Sequence, residues 1–281
     1  MSHFTVGVVI NKEDIDKHIK KIEEDKGAKA SESEIEDITN LRLHYNVDKA
    51  LTPFDENLEV DEELVMSLEE LRRQRDKVIN YNGECEWDLK MKKMYQDTSL
   101  EDFCNSYFGY NLKEDGAYAR YNTKGKWDWY VIGGRWNATL PIKNYVHNKE
   151  ENEKYDGYGD KIKGNACKIK DLVLHKDLNE EDIELLRKKY EKLITEGNVF
   201  YKAEYMLRKY PTFELYLKDT TTYNTYALLT SKGEWIEPGE MGWFGCSSAK
   251  PEEEMTFIDI FVQKLQEEDP DNYFVLVDCH V

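Results

Sequence analysis

Two histidines and an aspartate stand near the two ends of the chain, His3 in the opening "MSHFTV" and Asp278 and His280 in the closing "DCHV". If strands carry both ends and those strands pair, alternation with period two puts Asp278 and His280 on one sheet face, turns Cys279 to the other, and lets His3 approach His280. Two imidazoles and a carboxylate are the materials of an acid–base pair or a metal site. The plainer role is that of structural histidines in a sheet, and the spacing itself proves neither role, so no residue is assigned to catalysis and no metal or cofactor is expected.

A second group is the stretch "KWDWYVIGGRW", Lys126 to Trp136, which holds half of the six tryptophans. Read as a strand from Trp127 to Ile132, it sends Trp127, Trp129 and Val131 to one face and Asp128, Tyr130 and Ile132 to the other. Gly133-Gly134 then breaks the strand and turns Arg135 and Trp136 outward. A guanidinium can grip a carboxylate or phosphate, with an indole as its cation–π platform. The structural alternative pairs Arg135 with an internal acid such as Asp128 and buries the tryptophans. A third group, "GEMGWFG" at 239–245, sets Trp243 among three glycines and lacks the lysine and hydroxyl residue of a phosphate-binding loop. Asp55 and Glu56 in "PFDEN" are either carboxylates for acid–base or cation chemistry or an acidic cap facing water. Trp127, Trp129, Arg135, Trp136, Trp243, Asp55 and Glu56 are the candidate contacts for a ligand or partner.

Periodicity supplies the elements that would position these groups. Alternating Phe4, Val6, Val8 and Ile10 predict a strand over 2–10, and Tyr273 to Val281 another. Ile15, Ile19 and Ile22 predict a helix over 12–24, and Leu64, Leu68, Leu71 and Val78 one over 62–79. Ser99 caps a short helix reaching Tyr107. Asn179 with Asp182 opens a longer one closed by Gly197, and Pro251 starts a helix carrying Ile258, Phe261 and Leu265. Residues 118–121 and 127–132 read as a hairpin across Asn122 to Gly125, while 212–217, 225–230 and Trp235-Ile236 read as a small meander. The polar segments 27–37 and 145–164 read as exposed insertions. With a strand at each end secured in one sheet, the expected fold is α+β: a mainly antiparallel sheet with helices packed on it, as one domain over 1–281.

Composition limits the partners. The 281 residues carry 57 acidic against 39 basic side chains, a formal charge of -18 that repels phosphate backbones, so direct nucleic-acid binding is not expected. The excess is concentrated: twelve Asp or Glu face only Lys250 and Lys264 between Gly233 and Val281. Such a surface keeps a chain in solution or docks on a basic partner surface. The five cysteines are scattered and form no Cys-x-x-Cys pair, which speaks for reduced thiols. Neither a membrane-length apolar run nor a signal peptide is seen, so the expected place is the cytoplasm.

"MSHFTV", "PFDEN", "KWDWYVIGGRW", "GEMGWFG" and "DCHV" together resemble a family of uncharacterised phage and prophage proteins, with shared pieces over nearly the whole chain. The resemblance implies a setting in the cytoplasm of an infected host and brings no catalytic residues. It leads to two expectations. The first is an anti-defence inhibitor that binds a host nuclease or nucleic-acid-processing complex of restriction, CRISPR or Gabija type through a basic surface on that partner, with homo-oligomerisation left open. The alternative is a small-molecule hydrolase or nucleotide-binding sponge using Arg135 and the His3, Asp278 and His280 group.

Overall fold

The structure, a computed structural model, describes residues 2–145, 162–242 and 245–281. In chain order the first elements are β1 (His3–Ile10), α1 (Lys12–Lys26), α2 (Glu32–Leu51), β2 (Glu63–Ser67), α3 (Leu68–Ile79), α4 (Glu86–Tyr95) and α5 (Leu100–Phe103). A π-helical turn, Cys104–Phe108, leads to β3 (Asn111–Leu112), β4 (Gly116–Ala119), β5 (Trp129–Ile132), a 3-10 turn at Gly134–Trp136, and β6 (Ala166–Lys168). Then follow α6 (Glu180–Glu196), α7 (Ala203–Lys209), α8 (Phe213–Thr221), β7 (Ala227–Leu229), β8 (Trp235–Ile236), α9 (Pro251–Gln266) and β9 (Tyr273–His280). The fold is α+β, with the first and last of these strands in one sheet. Where the sequence reading led to one body over 1–281, the contacts gather into two compact units, Met1–Pro53 with Lys126–Val281, and Phe54–Gly125.

The first unit is built on a mixed sheet of order β5-β9-β1-β7-β8, with β6 also paired to β9. β1 and β9 run antiparallel over their full length, from His3 opposite His280 to Ile10 opposite Tyr273, whereas β1 and β7 are parallel. Alternation divides the sheet into two faces. Val9, Leu276 and Phe274 lie on one, where Phe257, Phe261 and Leu265 of α9 complete a buried cluster. The far side of α9 offers Met255 and Ile258 to Met206, Tyr210, Phe213 and Tyr216 of α7 and α8, so these short helices form an outer layer. α2 lies against the opposite face, where the Tyr130 hydroxyl donates to Asp48 at 3.1 Å. At Gly7 an added Cβ would fall 2.3 Å from the Phe274 ring, so a side chain there would displace the ring from the core.

The second unit pairs β2, β4 and β3 in an antiparallel sheet and packs α3, α4 and α5 around Leu71, Tyr95, Phe103, Cys104 and Ala117.

Several local expectations change. The segment 27–37 is no open loop: Gly27 ends α1 in the left-handed conformation at φ 67, and Ser31 with Glu34 forms a complete capping box for α2. Residues 62–79 divide into β2 and α3 at the N-cap Ser67, because Leu64 and Met66 sit opposite β4 instead of on a helical stripe. The stretch 212–217 opens α8: Thr212 accepts the N–H of Leu215, and Phe213 and Tyr216, three apart, bury one helical face. The expected hairpin fails as well. Its turn forms, with Gly125 N–H on the Asn122 carbonyl at 2.8 Å, but β4 pairs with β2 and β3 while β5 pairs with β9. The excursion expected at 145–164 lies over 146–161 outside the described residues. Among the described residues no helix is long and apolar enough to cross a membrane.

Candidate functional site

Strand pairing brings the chemistry-bearing residues into rows. His280 on β9 stands between His3 on β1 and Trp129 on β5, so three adjacent strands place two imidazoles and an indole side by side. One step along, Asp278 stands between Thr5 and Val131 on the same face. The face is the one that α9 covers further along, and the row occupies its other end.

Each histidine has its own carboxylate. His3 Nδ1 lies 2.9 Å from Asp278 Oδ1, and His280 Nδ1 lies 2.5 Å from Asp128 Oδ1. An ionised carboxylate only accepts, so both Nδ1 atoms carry the proton, and in a neutral ring the lone pair is then on Nε2. The ring centroids are 5.1 Å apart at 76°. Trp129 stacks on His280 at 5.0 Å and 17°, and meets His3 edge-on at 5.2 Å. His280 is 3% exposed, and its Nε2 is buried with no hydrogen-bond partner among the described residues. A buried polar nitrogen left so costs roughly 1–3 kcal/mol, a cost that a purely structural histidine would not need to carry.

The glycine pair makes room for this arrangement. Gly133 donates its N–H to the Leu276 carbonyl at 2.9 Å, after which Gly134, at φ +50, turns the chain over Asp278. The Arg135 N–H then donates to Asp278 Oδ2 at 2.9 Å. The carboxylate of Asp278 thus takes one hydrogen bond on each oxygen, which offsets its burial. Behind the turn the buried Asn165 accepts the Ala138 N–H at 2.7 Å and gives its own amide to Asn137 at 2.7 Å. Cys279, between Asp278 and His280 on β9, points to the other face. Complete burial pushes its thiol well above the ordinary range, with Asp278 and Asp128 adding to the shift, so it is no nucleophile.

The tryptophan stretch divides differently from its expected alternation. Asp128 lies at a bend before β5 begins, so Trp127 and Trp129 do not share a face. Trp127 is buried and donates its indole N–H to the Leu51 carbonyl at the end of α2, 3.1 Å away, which makes it a core residue. Asp128 faces His280 rather than forming the structural pair with Arg135, whose guanidinium stands at the exposed surface. Trp136 is not turned outward: it packs against the cluster that contains Leu140 and Phe274. Trp243 lies outside the described residues, although the loop around it is tied to the start of β1, where the Ser2 hydroxyl donates to the Gly242 carbonyl at 2.8 Å and accepts the Gly245 N–H at 2.6 Å.

Asp55 and Glu56 belong to the second unit. Asp55 Oδ1 accepts the Asn57 N–H at 2.8 Å in a local turn, and Glu56 is exposed. Neither joins the histidine row.

His3, Asp278 and His280 therefore come together, with Asp128 and Trp129 as members that sequence spacing did not reveal. Their Nδ1 atoms are engaged in two hydrogen-bonded pairs, and among the described residues no three His, Cys, Asp or Glu side chains are grouped to hold a metal ion. With Nδ1 so engaged, Nε2 is the remaining nitrogen on each ring; that of His280 is enclosed, and His3, its side chain 10% exposed, is the more open of the two imidazoles. Set against family models, curated proteins and solved structures, the chain matches none of them.

Proposed function

We propose that the first unit holds a small phosphorylated molecule beside the histidine row and hydrolyses it, with His3 and His280 as the acid–base pair and Arg135 as a contact for the anion. The observation that carries this reading is the placement of two imidazoles side by side, each fixed through Nδ1 by a different aspartate. Holding two part-buried histidine–aspartate pairs side by side costs desolvation that apolar residues would avoid, so the arrangement is better explained by chemistry than by stability. In the reaction one neutral imidazole takes a proton from water as the water oxygen bonds to phosphorus. The other imidazole, protonated, delivers its proton to the departing ester oxygen as that bond breaks. The resemblance to phage proteins implies an infected host as the setting of this activity.

The test is turnover of a panel of phosphate monoesters, diesters and nucleotides by the purified chain. The expected result is hydrolysis of at least one class, with His3→Gln lowering kcat about a hundredfold at an unchanged unfolding temperature. Turnover of none of the panel, or full activity in His3→Gln, overturns the reading.

A second reading, inhibition by attachment to a basic host complex, is supported by a different feature. Val199 and Phe200 are 93% and 85% exposed on the turn between α6 and α7. That turn is held by Asn198, whose Oδ1 accepts the N–H groups of Phe200 and Tyr201 at 2.9 and 2.7 Å. A preformed turn presenting apolar side chains suits an interface anchor, and the acidic surface suits fast encounter with a basic partner. Salt-sensitive co-purification with a nuclease complex, cut at least tenfold by Phe200→Ser, is the expected outcome under this reading. Equal recovery with the variant sinks it.

A further inference from the structure

Trp129 carries more than the support of His280. It is 41% exposed, although it lies in a strand paired with the central β9. Its indole is stacked nearly parallel to the His280 imidazole, at 17°, and the open remainder of the side chain adjoins both catalytic rings. Trp127, two residues earlier, shows what the fold does with an indole it needs for packing: that ring is buried and its N–H is paired with a backbone carbonyl. Trp129, by contrast, keeps a large part of its surface open. An exposed indole beside an acid–base pair is a platform for another flat ring, because aromatic stacking tolerates any base and gains from excluding water on both surfaces.

Resting on the hydrolase reading above, we infer that Trp129 determines specificity and that the substrate class is the nucleotides: a base stacks on the indole, and the phosphate it is joined to reaches the row at His3, the more open of the two imidazoles. The exposed Arg135, which follows the turn over Asp278, supplies the positive charge that a phosphate needs in a chain of net charge -18. A phosphate ester without a ring lacks the stacking contact and is held by the anion contacts alone. The discrimination lies in binding, so it appears mainly in KM.

The experiment compares nucleoside 5′-monophosphates with ribose 5-phosphate, which shares the sugar and the ester and lacks the base. Wild-type protein is expected to show kcat/KM for the nucleotide at least about tenfold above that for ribose 5-phosphate, chiefly through KM. Trp129→Ala brings the ratio close to one, and Trp129→Tyr restores most of it. Equal kcat/KM for the two substrates in the wild type overturns the inference while leaving the hydrolase reading in place. So does a Trp129→Ala variant that loses kcat equally on both, which would make Trp129 a positioning residue for His280 only. Turnover of neither compound, nor of any other ester, instead removes the hydrolase reading itself.

Discussion

Asp128→Asn is expected to lower kcat by about 10³- to 10⁴-fold while the chain still folds. The side chain of Asp128 accepts from His280 Nδ1 at 2.5 Å, and this contact places the proton on that nitrogen and the lone pair on Nε2. An asparagine of the same shape can turn its NH2 group toward the ring. It then donates to Nδ1, the ring proton moves to Nε2, and the nitrogen that should take a proton already holds one. The loss is one of tautomer and not of packing, since Asp128 is at the bend before β5 and its side chain is partly exposed. Asp128→Glu, which keeps an acceptor at Nδ1, should recover part of the rate. Steady-state kinetics beside a thermal melt check the prediction: an unchanged kcat in Asp128→Asn, or a fall matched by loss of folded protein, contradicts it. Asp278→Asn should impair His3 as well, because its single amide oxygen can accept from only one of the two donors, the Arg135 N–H or the His3 Nδ1–H, that the carboxylate serves.

Gly134→Ala should destabilise the chain by about 3 kcal/mol, combining left-handed backbone strain with overpacking. Its Cβ would fall 2.3 Å from the Asp278 Cβ and 2.4 Å from its Oδ2, and neither atom can retreat: the carboxylate sits on a central strand and is held by two donors. Shifts of about 5–10 °C in Tm correspond to an effect of that size in a chain of this length. Gly27→Ala is the control. Gly27 shares the positive φ, at +67, but nothing stands within 4 Å of its added Cβ, so only the strain of about 1 kcal/mol remains. Equal Tm values for the two variants would show that the approach of the 3-10 turn to Asp278 is looser than described.

The terminal strands were legible because alternation is a local signal and each strand holds an unbroken apolar face. The meeting of His3, Asp278 and His280 depended on the two strands being neighbours, which alternation does not fix and the register supplies. Caps were legible for the same reason: Asn179 with Asp182 and Ser99 with Asp102 act within one turn. Asp128 and Trp129 were missed as members of the site because their partner is 152 residues away for Asp128, and nothing near β5 writes down that it joins β9. The run read as a strand at 212–217 has strand-like composition but helical spacing, and burial of Phe213 and Tyr216 against α9 decided for the helix. The turn at Asn122 to Gly125 was read correctly as a turn. A turn fixes only its own backbone, however, and the strands on either side found other neighbours.

β9 joins pieces that do not otherwise touch through strand pairing: β1 lies on one edge, and the other edge is shared by β5 along 277–280 and β6 along 273–275. During synthesis β1, β5 and β6 leave the ribosome well before it, and although β1 can pair with β7, nothing before β9 joins the three in a common sheet. The histidine row therefore has no precursor on the nascent chain. Arrival of a single late segment closes the sheet and creates both histidine–aspartate pairs at once, so a chain halted before residue 273 lacks the row and exposes sticky strand edges for as long as it persists.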